Sequence, residues 1–282
     1  MKRMDQLSLG WRTHLIFPRF DAQVIERADC LVVRTPANPA FWWGNFLLFD
    51  QAPQPGDAAR WLRRFDEELV RHDSRVQHLA YGIDVSEPFE LPADFAAAGL
   101  ALSEESVLQI AAHQLRPASL ADGFTVRPLR LPKEAGLVVD AQVASDAGEH
   151  EPQSYRRHRE KMMERYGAMS CAAWGHWFGV FAHTPTGERL VADCGLYADG
   201  PLSQQTPGRF QHVSTHPAWR RRGLCRAMIH AVCRHGFEQM GLQHLVMQAD
   251  PHEVAIGIYE SLGFQRGAST WQLERKPLSE RR

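Results

Sequence analysis

The chain has 282 residues, 44% of them apolar and 23% charged, with a formal net charge of −1. That is the profile of a globular chain long enough for one large domain or two ordinary ones. The near-neutral balance argues against a general polyanion binder, so no nucleic acid is expected as a partner, and no apolar run approaches the roughly eighteen residues of a membrane span.

The first half alternates strand and helix patterns. Cys30–Arg34 (CLVVR) is a β-branched run suited to a strand. The turn PANPAFWWGN follows, and Phe46–Phe49 (FLLF) reads as a second, buried strand. From Asp57 the spacing of Ala58, Trp61, Leu62, Phe65 and Leu69 predicts a helix. His78–Asp84 (HLAYGID) is another strand, and FAAAGLAL and SVLQIAAHQL follow as mixed apolar pieces. No chemical motif stands out here. The Trp42–Trp43 pair reads either as a pocket lining or as core or contact surface. The polar stretch Gln114–Gly123, punctuated by Pro117, reads as a linker.

The second half opens with strand FTVRPL and a helical region whose clearest part is QSYRRHREKMMERYGAM. Three strands follow: Trp177–His183, Leu190–Ala198 and Arg209–Thr215. Beyond HPAWRRRG an amphipathic helix is expected, with Leu224, Met228 and Val232 in one row and Cys225, Ile229 and Cys233 in the next. Strand His244–Asp250, helix VAIGIYESL ended by Gly263, and short strands around Phe264 and TWQLER close the chain. The expected class is a layered α/β (α+β) fold with a mixed sheet. The five cysteines, Cys30, Cys171, Cys194, Cys225 and Cys233, are odd in number and include no C-x-x-C pair. Buried free thiols in a reduced, cytoplasmic setting are the expectation. Fourteen histidines are scattered without metal-ligand spacing, so no metal is expected. The basic start, MKRMDQLSLGWRTHL, lacks the apolar core of a secretion signal.

The segment VSTHPAWRRRGLC concentrates the chemistry. Arg220, Arg221 and Arg222 stand at the mouth of a helix, whose unpaired N–H groups already carry partial positive charge. Gly223 lets a ligand approach the backbone. The arrangement reads as a phosphate or diphosphate cradle, or as a solvated basic turn. It is neither a Walker loop nor a dinucleotide fingerprint.

The same segment resembles the acetyl-CoA-binding motif of the GNAT superfamily of N-acyltransferases, [Q/R]-x-x-G-x-[G/A] after a strand and a proline. Here the motif reads Arg220-Arg221-Arg222-Gly223-Leu224-Cys225. AIGIYESLGF (Ala255–Phe264) resembles that family's second signature, and thirty-three residues separate Gly223 from Gly257. The resemblance covers roughly Phe124 to Arg275. It implies a GNAT-like, mostly antiparallel central sheet flanked by helices. It further implies that acetyl-CoA (coenzyme A) is the cofactor, and that an acetyl group moves directly to an amine in a ternary complex. By resemblance, the cofactor is held by Val213, Ser214, Thr215, Arg220, Arg221, Arg222, Gly223, Leu224, Cys225, Arg226, His252 and Tyr259. Val213 N–H serves the thioester oxygen and Tyr259 protonates the leaving thiolate, although Tyr259 also sits at core spacing. Cys225 in place of glycine or alanine, and His252 where asparagine is usual, are expected to weaken cofactor binding.

A lysine-like amine is neutral in about one molecule in two thousand at pH 7, a cost of about 4.6 kcal/mol. The base that lowers this cost is left open among Glu149, His150, Glu151 and His212. The first half weakly echoes the same order of elements without the arginine–glycine cradle. It reads as a degenerate GNAT-like or accessory domain, residues 1–118, covering the catalytic domain at 119–282 or shaping its acceptor pocket. A small-molecule or peptide amine is the expected acceptor, and a monomer or homodimer the expected state. The other reading of the chain is a non-catalytic acyl-CoA-binding sensor or scaffold.

Overall fold

The computed structural model describes residues 2–146, 151–200 and 207–276. The chain forms two compact units, one of residues 1–107 together with 268–282, the other of residues 108–267.

The first unit begins with helices α1 (Leu9–His14) and α2 (Ile16–Asp21) and strands β1 (Gln23–Glu26), β2 (Leu31–Arg34) and β3 (Phe46–Phe49). Helix α3 (Ala58–Phe65), strand β4 (Leu79–Ile83), the short α4 (Ala93–Ala97) and the long β5 (Ala101–Ala111) follow. β3 and β4 are buried along their whole length, which requires cover on both faces. On one face Trp61 of α3 stacks on Phe49 with centroids 3.8 Å apart. On the other, Trp11 of α1 packs on Phe46 at 5.8 Å and donates from Nε1 to the Ile83 carbonyl. Trp42 stacks on buried His78, and Trp43 packs on Trp11 and Phe46. Of the two readings of this pair, packing within the unit's own core is the one observed.

The second unit contains β6 (Phe124–Pro128), α5 (Ala135–Ser145), α6 (Pro152–Cys171), β7 (Gly175–Thr184), β8 (Gly187–Tyr197) and β9 (Gly208–Thr215). α7 (Leu224–Glu238), β10 (His244–Ala249), α8 (Ala255–Ser261) and β11 (Gln265–Arg266) complete it. Its sheet runs β10-β9-β8-β7-β6, antiparallel except for the parallel β10–β9 pair. Leu224, Met228, Ile229, Val232 and Cys233 of α7 are buried against this sheet, as the row pattern predicts. Tyr166 of α6 lies 4.6 Å from Trp177 of β7. α8 stops at Gly263, whose φ of +105° and close approach to the Gln114 carbonyl leave no room for a side chain. The last strand, β12 (Thr270–Arg275), belongs to the first unit, where the order is β1-β2-β3-β4-β12-β5.

The overall class is thus mixed α/β with mostly antiparallel sheets flanked by helices. Three differences from the sequence reading stand out. α1, α2 and β1 are elements that it does not mark. The apolar pieces between Phe95 and Leu115 resolve into α4 and the eleven-residue β5. The units divide after Val107, inside β5, where the sequence suggests the polar linker near residue 118, because β5 and β12 pair over Ala101–Glu105. Cys30, Cys194 and Cys233 are buried as expected, whereas Cys171 at the end of α6 is exposed. Among the described residues, no helix is long and apolar enough to cross a membrane.

Candidate active site

Among the described residues, the second unit's sheet opens where β9 meets β10. β9 and β10 pair only at Leu245↔Gly208 and Val246↔Arg209, although both strands continue. Arg209 is the last paired residue, and its Nη2 donates to Gln248 Oε1 on β10. Beyond it, the edge of β9 facing β10 has no ladder among the described residues. Strand edges of that kind offer N–H and C=O groups to an extended ligand.

β9 also carries an irregularity where it passes β8. Gln211 faces Gly195 and Ser214 faces Asp193, so the single residue Cys194 stands opposite both His212 and Val213. This is a β-bulge, which bends the strand and re-aims the groups of the extra residue. His212 has φ +44°, an unfavourable value for a side-chain-bearing residue, and such strain clusters at functional positions. The resemblance assigns the oxyanion donor to Val213, and Val213 lies on this bulge.

After β9 the chain turns through Pro217–Trp219 to the helix mouth. Arg221 (φ +62°) and Gly223 (φ +74°) are left-handed and flank Arg222. Alternation of this kind gathers successive N–H groups into a concavity suited to an anion. Gly223 is the N-cap of α7 and has no side chain with which to cap it. Ala227 N–H makes the bond to Gly223 O, 3.0 Å, so the amides of Leu224, Cys225 and Arg226 precede the helical ladder. Arg220, Arg221 and Arg222 are exposed. Arg220 is anchored by its Nε on Thr215 O (3.1 Å), and the Arg222 guanidinium lies 4.7 Å over the Trp219 ring. Arg226 behaves differently, since its side chain clasps Pro117 O and Ser261 Oγ.

Tyr259 of α8 is 4% exposed and packs on Phe264. Burial, and then the neighbouring thiols of Cys225 and Cys194, push its hydroxyl above the usual tyrosine value, so it stays protonated. That hydroxyl makes no hydrogen bond among the described residues. Burial raises the Cys225 thiol to about 11, which keeps it a neutral packing group. His252 is exposed in a turn closed by its own N–H on Asp250 Oδ1, 2.8 Å.

The opposite face of β8 and β9 carries a buried polar network. Asp193, 1% exposed, accepts from Gln142 Nε2 at 2.7 Å, Trp177 Nε1 at 3.1 Å and Ser214 Oγ at 2.8 Å. Burial raises its carboxyl to about 6, against the pull of these donors and of Arg159. Sequence reasoning missed Asp193, Gln142 and Arg159. Each lies in a strand or helix with no motif around it, and only the fold gathers them. Ser214, carried over by resemblance as a cofactor residue, spends its hydroxyl on this network. His212 stacks near Trp177, 6.5 Å between centroids. Burial, Arg159 and His158 hold its imidazole well below the ordinary value, so it is neutral at neutral pH.

The base candidates separate. Glu151 is the N-cap of α6, accepting from Gln153 N (3.0 Å) and Ser154 N (2.6 Å), and these bonds lower its carboxyl. It is exposed and committed to its own helix. Glu149 and His150 lie outside the described residues.

Comparison with known proteins follows the same lines. Residues 178–266 match the acetyltransferase (GNAT) domain family. No curated protein matches the chain in sequence. A protein of unknown function from Staphylococcus epidermidis ATCC 12228 shares the fold with TM-score 0.72 at 11% identity, over 92% of this chain and 96% of that one. A GCN5-related N-acetyltransferase from Kribbella flavida gives 0.61 at 16% identity, over 96% of each chain. A tandem GNAT protein from the clavulanic acid biosynthesis pathway gives 0.57 at 13%, over 97% and 94%. At these identities the likeness is one of fold.

Proposed function

Because residues 178–266 belong to the GNAT acetyltransferase family, we propose that the chain transfers an acetyl group from acetyl-CoA to an amine by direct attack in a ternary complex. The observation that carries this reading is the parting of β9 from β10 beside a bulge and a left-handed helix mouth. The free edge of β9 from Val213 to Thr215 suits the amide-bearing pantetheine arm, which pairs as an added strand would. The diphosphate fits the amides from Arg222 to Arg226, with Arg220, Arg221 and Arg222 around it.

When bound, coenzyme A supplies the activated thioester. The protein's groups do the rest. Val213 N–H donates to the thioester oxygen as charge builds there, a contribution typical of about 3 kcal/mol. The neutral imidazole of His212 accepts a hydrogen bond from the incoming amine, whose excess proton leaves to solvent. The Tyr259 hydroxyl would give its proton to the coenzyme A thiolate as that group leaves and would regain one from solvent. Thiol release from acetyl-CoA across an amine panel tests the reading. Amine-dependent release supports it. Saturable binding with no release for any amine would favour a sensor or scaffold instead.

A further inference from the structure

Arg159 lies in the middle of α6 and is 6% exposed. A buried guanidinium normally carries a full set of acceptors, because an unpaired buried charge is costly. Arg159 departs from that. Its Nε donates to Gln142 Oε1 at 2.5 Å, and Gln142 in turn donates to Asp193. Among the described residues the two terminal nitrogens have no hydrogen-bond partner, and Nη2 is closed to solvent as well. No carboxylate of a described residue forms an ion pair with it. Asp193, which feels its charge, spends both oxygens on Gln142, Trp177 and Ser214.

The position of this guanidinium is informative. Gln142 links it to Asp193, which pairs with Ser214 on the bulged strand, and its charge bears on Asp193 and on His212, the residue that adjoins Val213 on the bulge. Gln142 and Trp177 are neutral, His212 is neutral at neutral pH, and the Asp193 carboxylate is masked by three donors. Gln142 holds the guanidinium in place through Nε and leaves Nη1, the terminal nitrogen not closed to solvent, for a second acceptor. A guanidinium N–H bonds most strongly to an ionised acceptor such as a carboxylate oxygen. The cofactor's phosphates have a separate cradle at the mouth of α7, so this site is left to the acceptor.

We infer that Arg159 receives a carboxylate of the acceptor, so that the acceptor is a small amino carboxylic acid whose amine and carboxylate are a few bonds apart. The inference rests on the acyltransferase reading. It adds that a single charge on the acceptor, placed beside the bulge, orients the amine toward the thioester carbon. Arg159 is then a binding residue for the acceptor, with Gln142 its positioning partner.

Matched acceptors test it. Amino acids, their carboxamides and the corresponding decarboxylated amines are compared for kcat/KM in thiol release by the full chain, in the parent and in Arg159→Gln and Arg159→Lys. The parent is expected to favour at least one amino acid over its own amide by about a hundredfold. The ratio is expected to fall toward one in Arg159→Gln and to recover partly in Arg159→Lys. Unaltered melting temperature and cofactor affinity in Arg159→Gln separate this from misfolding. If that variant does not fold, Gln142→Leu, which frees the fork without removing its charge, is expected to lower the ratio. Turnover of amides and amino acids at equal rates in the parent overturns the inference and leaves the acyltransferase reading intact. A ratio unchanged by Arg159→Gln also overturns it, since an arginine that served only to offset Asp193 would give that result. Absence of turnover with every amine removes the acyltransferase premise and this inference with it.

Discussion

Ser214 Oγ donates to Asp193 Oδ2 at 2.8 Å, which ties the bulged strand to a carboxylate buried in the sheet. The bond closes the bulge on one side, while Cys194 faces both His212 and Val213 on the other. Burial raises the Asp193 carboxyl from its usual 3.8 to about 6. The folded protein therefore binds more protons than the unfolded chain between these values. The stabilisation is complete below about pH 4 and is lost as pH rises toward 6, by about 3 kcal/mol. Asp193→Asn keeps two acceptor contacts and removes the ionisation. Its urea midpoint, measured from pH 4 to 7 beside the parent's, is expected to lack that decline. Parallel profiles would contradict the assignment.

His78 in the first unit has the opposite sign. It is 2% exposed, stacks on Trp42 and holds Asn45 O at 2.9 Å, and burial lowers its imidazole to about 4. The folded state keeps it neutral where the unfolded state would be charged. The contribution is full above about pH 6.5 and is lost as pH falls toward 4, again about 3 kcal/mol. An NMR titration of the ring is expected to show a midpoint near 4. A midpoint near 6.5 would place the ring in solvent.

Gly223 and Arg222 separate the two properties of the helix mouth, conformation and charge. Gly223 sits at φ +74° with open space where a Cβ would stand. Gly223→Ala is expected to cost about 1–2 kcal/mol of stability through backbone strain alone. It is also expected to weaken cofactor binding as the amides turn away. Arg222→Ala removes charge and the contact with Trp219. It is expected to leave stability nearly unchanged and to raise the cofactor KM about three- to tenfold, less at high salt. Equal KM values at low salt for parent and Arg222→Ala would remove the arginine from the site.

Tyr259→Phe deletes one hydroxyl that has no hydrogen-bond partner among the described residues and keeps the packing on Phe264. Stability is expected to change by less than about 0.5 kcal/mol. As a proton donor to the thiolate, Tyr259 supports a loss of about a hundredfold in kcat with little change in KM. Unchanged kcat would return the residue to packing alone.

The elements built from contiguous pattern were legible in the sequence. β3 coincides with FLLF, β9 lies under RFQHVST, and the residues of α7 buried against the sheet are, with the half-buried Cys225, the two rows its spacing marks. The helix mouth was legible because Pro217, the arginines and Gly223 act locally. What escaped was set by distant partners. The bulge at His212 exists only against Cys194, eighteen and nineteen residues upstream of the His212 and Val213 it opposes, and no composition marks it. The Arg159–Gln142–Asp193 relay joins two helices and a strand through single residues, each ordinary in its own segment. β12 returns to the first unit by pairing with β4 and β5, a consequence of long-range register that a linear reading assigns to the nearer domain.

Calorimetric titration of coenzyme A into the full chain at low ionic strength tests the central claim most directly. One molecule bound per chain, with affinity that falls as salt is added and weakens in Arg222→Ala and Gly223→Ala, is the expected result. No heat with either free or acetylated coenzyme A, from a chain that still unfolds cooperatively, would contradict it.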